Sequence, residues 1–352
     1  MDTNAGGGLR GTRATLTADL TNLLSDKYGF DKSTKYRDIG GSSSLNLHAI
    51  TKHGQYIARI YRPYVSTTRF NDILRVRRQL IANGLPCSTT LETFTGDEHT
   101  YWNGRIVEVE HYIKHDDIMD KIDRLKYAMP IFGKMTSILS NIDNISTDAK
   151  NPLFSNHIHF EKIAKMTEKG CRRMLSWNPT EAENEIIHTS KSLMEKVLQA
   201  GSEVFPTLPK QLSHGDFWDN NVLFKNGQVA LIADFDFMGE RRRIEDISLT
   251  LYFAHISEGF CQSKTFSRER ALELKQLLDL YENGLDIKLS EAEKSVVPIC
   301  IAMQAFWGIG GWVVQLDNDD AARNHAAGMK WELDRCKYVI DNLDEWQDIF
   351  HI

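Results

Sequence analysis

The sequence predicts an α+β protein with two lobes, a small β-rich N-terminal one and a larger, mainly helical C-terminal one. Three observations carry this expectation. Strand-like runs dominate up to about His111, with only two helical runs among them. Long stretches of helical periodicity follow Lys114. A single short hairpin, Val222 to Phe224 and Val229 to Ala233 around Lys225-Asn226-Gly227, interrupts those helices. The expected division is a flexible Gly-rich arm over 1–12, an N-lobe over 13–112 and a C-lobe over 113–352.

In the first lobe, Leu16, Leu20, Leu23, Leu24 and Tyr28 recur at helical intervals. Gly40-Gly41-Ser42-Ser43-Ser44 then leads into two strand-like runs, Leu45 to Thr51 and Tyr56 to Tyr61. A helix over Phe70 to Ala82 is stopped by Asn83-Gly84-Leu85-Pro86. Further strands are expected at Leu91 to Phe94 and at Arg105 to Ile113, with a turn near Asn103-Gly104. In the second lobe, Arg124 to Leu139, His159 to Leu175, Glu181 to Gln199, Ala271 to Tyr281 and Ala321 to Asp341 are expected as helices.

The composition is that of a globular protein: 41% hydrophobic and 26% charged, enough for one large or two moderate cores. A net charge of −6 argues against a nucleic-acid partner. Five scattered cysteines, odd in number and without a CxxC pair, fit a reducing cytoplasm and no disulfide framework. Met1 to Arg13 lacks the apolar core of a signal peptide. Val296 to Leu316 contains no charged residue, but it holds Pro298, Gln304, Gly308, Gly310, Gly311 and Gln315. It is expected as buried core helices broken near the glycines, with no membrane partner. His157 and His159 have no companion at ligand spacing and are expected as ordinary polar residues.

The chemistry concentrates in one stretch. His214-Gly215-Asp216 is followed by Asn221, and the hairpin's return strand ends in Ile232-Ala233-Asp234-Phe235-Asp236. A hairpin folds its two ends together, so Asn221 and Asp234 are expected to meet. Phosphoryl transfer needs such a point, because magnesium takes oxygen ligands and completes its shell with waters and substrate phosphates. A separate carboxylate must orient the attacking hydroxyl and accept its proton. On this reading Asp216 is the base, and Asn221 and Asp234 hold the metal.

His-Gly-Asp, four residues, Asn, then a hydrophobic strand ending in Asp resembles the aminoglycoside phosphotransferase family, in which choline, homoserine, methylthioribose and fructosamine kinases also fall. The resemblance implies a bilobal protein-kinase-like fold, ATP and Mg2+ as cofactors, and a small-molecule hydroxyl acceptor in a monomer or homodimer. An aminoglycoside-type or other hydroxylated antibiotic is the acceptor expected first. A metabolic kinase of an amino alcohol, amino acid or sugar is the alternative, and a nucleotide-binding pseudokinase scaffold is another. It also implies a phosphate-covering turn at Gly40, Gly41, Ser42 and Ser43, and a phosphate-pairing cation at Arg59. Backbone contacts to adenine fall at Glu110, His111 and Tyr112. His214 and Asp246 are expected to brace the loop, Asp236 to assist the metal or cap the next segment, and Glu258, Trp307, Trp312 and Asp317 to line the acceptor cleft. The family's helix offers a Glu to the cation, but the matching position here is about Ile73, and Asp72 is the nearest carboxylate.

Overall fold

The structure is a computed structural model and describes residues 13–41, 44–150, 158–257, 260 and 267–351. The 1–12 arm, Ser42, Ser43, His157 and Glu258 lie outside the described residues.

The N-terminal part is a five-stranded antiparallel sheet with two helices. Strands β1 (Lys35–Asp38), β2 (Leu45–Thr51), β3 (Gly54–Ile60), β4 (Thr100–Trp102) and β5 (Arg105–His111) lie in the order β1-β2-β3-β5-β4. Alternation along β5 assigns its two faces. Val107 and Val109 join Leu45, Leu47, Ala58 and Ile60 beneath helix α1 (Ala18–Tyr28). Ile106 packs with Tyr61, Phe70 and Leu74 toward helix α2 (Thr67–Ala82). Thr17 caps α1 by accepting from the Leu20 amide, and Gly29, at φ 72°, ends it. Ser66 caps α2 in the same way.

One expected strand is absent. Leu91 to Phe94 forms no strand; a single bridge joins Thr90 to Glu110. The chain turns there, with the Thr93 hydroxyl accepting from the Asp97 amide and Gly96 at φ 81°. The sheet edge is supplied instead by β4, joined to β5 through Asn103 and Gly104, both at positive φ as a tight hairpin requires.

The C-terminal part is helical, with three expected helices extended by a turn or so: α3 (Ile122–Ser140), Arg268–Gly284 and Asp319–Asp341. Two small strand sets are inserted, β6 (Asp117–Ile118) with β8 (Val222–Lys225) and β9 (Gln228–Ile232), and β7 (Gln211–Ser213) with β10 (Gly239–Arg241). Arg243–Ile256 is a helix that periodicity does not reveal. It is buried nearly all round, so it has no polar stripe to betray a 3.6-residue repeat.

Glu291–Gln315 is a near-continuous helical run, long and apolar enough to cross a membrane, yet almost wholly packed inside the protein. As expected it is irregular at the glycines: Gly308–Trp312 forms a π-type turn. Gly170, on the helix Ile163–Leu175, faces this turn so closely that a Cβ there would stand 2.2 Å from the Ile309 carbonyl. A Cβ on Gly310 would meet Met166 in return. Glycine on both sides lets the two backbones touch.

His214 and His255 are fully buried. Burial, with Arg241 adding to it for His214 and Arg270 for His255, pulls both down to about 3.

Two outcomes follow. Gly170→Ala must push backbones apart and should cost about 1–3 kcal/mol in urea unfolding. The two histidines are neutral in the fold but protonate in the unfolded chain near 6.5, so the unfolded state binds more protons as pH falls below that value. Their contribution is whole above about pH 7 and should shrink by roughly 2 kcal/mol per histidine at pH 5. Urea midpoints measured from pH 8 to pH 5 check this.

Candidate active site

The β8–β9 ribbon sets the geometry. Asn226 and Gly227, at φ 52° and 77°, make its turn, and Val222 pairs with Ile232. One step further, the Ala233 amide donates to the Asn221 carbonyl at 2.9 Å. The chain then leaves the strand through Asp234, whose φ of 63° is left-handed, unusual for a residue other than Gly, Asn or Asp. Asp234 Oδ1 faces the Asp236 amide at 3.4 Å, so Asp234 and Asp236 share one tight turn.

Asp216 sits against Asn221. The Asn221 Nδ2 donates to both the Asp216 carboxylate (2.8 Å) and its carbonyl (2.9 Å). Two acceptors on that side fix the orientation of the amide and turn its Oδ1 the other way. Both residues are buried.

The loop before them is held from three sides. His214 Nδ1 accepts from the Asp216 amide (3.2 Å), and its Nε2 donates to the Ala233 carbonyl (3.1 Å), ring roles that require the neutral form. Its depressed pKa agrees with those roles. Asp246, in the first turn of Arg243–Ile256, accepts from the amides of His214 (3.1 Å) and Gly215 (2.8 Å). Burial pushes the Asp246 carboxyl up, while Arg241 and these two amides pull against it. Gly215 has no alternative: its φ is 85°, and a Cβ would collide with the Phe237 carbonyl at 2.3 Å and Arg241 at 2.4 Å.

Arg59, on β3, reaches Asp234 Oδ1 at 2.8 Å and Asp236 Oδ2 at 3.7 Å, and lies 5.3 Å from the Tyr61 ring. Burial opposes its charge, but Asp234 and Asp236 outweigh burial and hold it firmly protonated. The turn before β2 approaches the same place, with the Ser44 hydroxyl 3.3 Å from Asp236 Oδ2. Gly40 and Gly41 have φ of 97° and 117°, and a Cβ on Gly41 would strike the Ser44 carbonyl at 2.6 Å.

Other expected positions sit differently. The amides of His111 and Tyr112 are already donated to the carbonyls of Thr89 and Gln55. The Glu110 side chain turns inward to Arg77. Asp72 accepts from the Ser146 amide, so it is not the partner of Arg59. Trp307 and Trp312 are half-buried, Trp312 against His325 with ring centres 6.0 Å apart, and Asp317 is exposed. None of the contacts described for these three reaches Asp216. The aromatic wall beside the loop is Trp218, 4.9 Å from Phe253 and 4.8 Å from Phe260. Sequence reasoning passed over Trp218, although it stands two residues after Asp216.

A divalent cation fits the donor set. Asn221 Oδ1 is turned from Asp216, Asp234 offers a partly exposed carboxylate, and Asp236 Oδ1 is buried without a hydrogen-bond partner. These are hard oxygens of the kind magnesium takes. Among the described residues no group of three or more His, Cys, Asp or Glu forms a self-sufficient metal cluster. That is expected where phosphates and waters complete the shell.

Comparison with known proteins bears on the fold and the family. Among solved structures, the amicoumacin kinase hAmiN in complex with AMP-PNP, Ca2+ and Ami superposes with a TM-score of 0.65, at 14% identity over 90% of this chain and 92% of the other. A microcompartment-associated aminopropanol kinase gives 0.63, at 14% identity over 95% and 98%. The Plasmodium vivax ethanolamine kinase gives 0.58, at 13% identity over 88% and 87%. These likenesses establish the kinase-like fold. No curated protein matches the sequence. The phosphotransferase enzyme family (APH) matches residues 35–282, more than half the chain. The chain belongs to the phosphotransferase enzyme family, as a small-molecule kinase.

Proposed function

We propose that the protein transfers the γ-phosphoryl group of Mg-ATP to a hydroxyl of a small, amine-bearing molecule, with Asp216 as the base. The observation that carries this reading is the Asp216–Asn221–Asp234 arrangement, in which the Asn221 amide donates to Asp216 and a backbone rung brings Asn221 and Asp234 to the same end of the ribbon.

Asp216 accepts the proton of the acceptor hydroxyl, and Asn221 keeps its carboxylate in one orientation. Asp234 and Asn221 would hold the cation, with Asp236 able to add its unpartnered Oδ1. When bound, magnesium neutralises charge on the β- and γ-phosphates. Arg59, held beside Asp234 and Asp236, would grip phosphate oxygens with its guanidinium fork. Gly40 and Gly41 let backbone amides approach the phosphates. The Trp218–Phe253–Phe260 wall gives the acceptor a π-face beside the base, suited to an ammonium group. An aminoglycoside-type antibiotic is the first acceptor to test. An amino alcohol is the second, favoured by the small kinases with this fold.

Mg-ATP consumption across aminoglycosides, other hydroxylated antibiotics, aminopropanol, ethanolamine, choline, homoserine and sugars tests the assignment. One acceptor should support turnover; silence across the panel with intact nucleotide binding would leave a scaffold. On the best acceptor, Asp216→Asn should lower kcat by about 10²–10⁴ while Mg-ADP still binds by calorimetry. Asp234→Asn should instead remove magnesium-dependent nucleotide binding. Full activity in Asp216→Asn would show that the base is another group.

A further inference from the structure

Helix α2 brings no carboxylate to Arg59; it brings a cation. Arg77, buried on α2, donates from one nitrogen to Glu110 at 2.8 Å and from another to Glu108 and to the Thr90 hydroxyl, 2.8 Å away. Glu108 also accepts from the Tyr61 hydroxyl (2.8 Å) and the Thr90 hydroxyl (2.8 Å), and Glu110 accepts from Ser88. A carboxylate receiving only donors is in its ionised form's geometry. Two acids and one base are therefore closed together on the α2 face of β5, almost without solvent.

Arg59 is the next cation along. It lies directly across from Glu108 in the β3–β5 ladder, and cross-strand partners have Cβ atoms about 5 Å apart. It also shares the Tyr61 ring with this network: Tyr61 bonds Glu108 on one side and lies under Arg59 on the other. Yet the Arg59 guanidinium points away, to Asp234 and Asp236. Arg77 explains the choice. Its fork occupies Glu108 and Glu110, which would otherwise be buried charges within reach of Arg59.

We infer that Arg77 is a positioning residue: by holding Glu108 and Glu110, it keeps Arg59 free to face the nucleotide phosphates. The charge order is reversed relative to a helix carboxylate that pulls the strand cation into place. Here a helix cation shields the strand acids and the metal-side aspartates draw Arg59 forward. Arg69 fixes the same helix to the site, donating to the carbonyls of Asp236 (2.6 Å) and Met238 (2.7 Å). The network and the Asp234 turn therefore share one rigid support.

The inference rests on the proposed nucleotide site, and the test separates the two. Mg-ADP affinity by calorimetry and KM for ATP are measured for the wild type, Arg77→Met, Arg77→Lys, and the neutral triple variant Arg77→Met/Glu108→Gln/Glu110→Gln. Arg77→Met should raise KM and Kd at least tenfold with kcat changed less than threefold, because Arg59 swings back to the bare acids. Arg77→Lys should fall between. The triple variant, which leaves no acid to capture Arg59, should return to within about threefold of the wild type. It also keeps the test open if Arg77→Met fails to fold, since its Kd alone then decides. A nucleotide Kd unchanged in Arg77→Met, or one no better in the triple variant than in Arg77→Met, overturns the inference and leaves the site assignment standing. A triple variant that folds but binds Mg-ADP more than tenfold weaker overturns it too. Absence of Mg-ADP binding by the wild type overturns both.

Discussion

The rung between the Ala233 amide and the Asn221 carbonyl closes the open end of the β8–β9 ribbon, and the chemistry hangs from it. It carries the strand ladder one residue beyond the hairpin, so Asn221 and Asp234 leave the ribbon at the same end. From there Asn221 reaches back to Asp216, and His214 closes the circuit by bonding the Ala233 carbonyl of the same rung. Asp216, Asn221 and Asp234 are thus referred to one short piece of antiparallel backbone. A ladder is stiff because its bonds act together, whereas a polar loop of the same composition would place these side chains only loosely.

Around this ribbon the protein buries several charges with partners. Arg241 is fully enclosed and donates to the Phe237 carbonyl, with Asp246, Glu245 and Asp216 near enough to support it against a burial that pulls its pKa down. Arg69 spends its charge on backbone carbonyls, and Arg77 on two glutamates. Buried ions add little net stability, since desolvation offsets most of their attraction, but losing one partner costs several kcal/mol. What they supply here is position. Asp236 Oδ1 is one of several buried polar atoms here without a hydrogen-bond partner, and it stands on the same tight turn as the Asp234 carboxylate.

Much of this was legible in the residues. The spacing from His214 to Asp234 announced both the hairpin and its purpose, because the Asn-Gly turn fixes the register and the register fixes which side chains meet. Cap residues and apolar periodicity placed α1, α2 and most C-terminal helices within a few residues. Arg243–Ile256 escaped for the opposite reason: a helix enclosed on all sides carries no stripe. Leu91 to Phe94 misled because apolar residues with good strand propensity were used in a turn, where Thr93 and Gly96 decided the backbone. The contacts of Trp218 with Phe253 and Phe260, and of Arg77 with Glu108 and Glu110, were invisible in the sequence, since nothing local marks a long-range partner.

The sequence by itself determined the α+β division, the hairpin, and which carboxylates and amide that hairpin gathers. Those depend on local rules: turn chemistry, alternation and the valence of side-chain oxygens. Only the tertiary structure decided which charge answers which. Arg59 turns to Asp234 and Asp236 rather than to Glu108, the glutamate opposite it, and the helix that follows its strand places Arg77 on that glutamate. Long-range pairing of buried charge follows from the packing of separate elements, and no spacing along the chain encodes it.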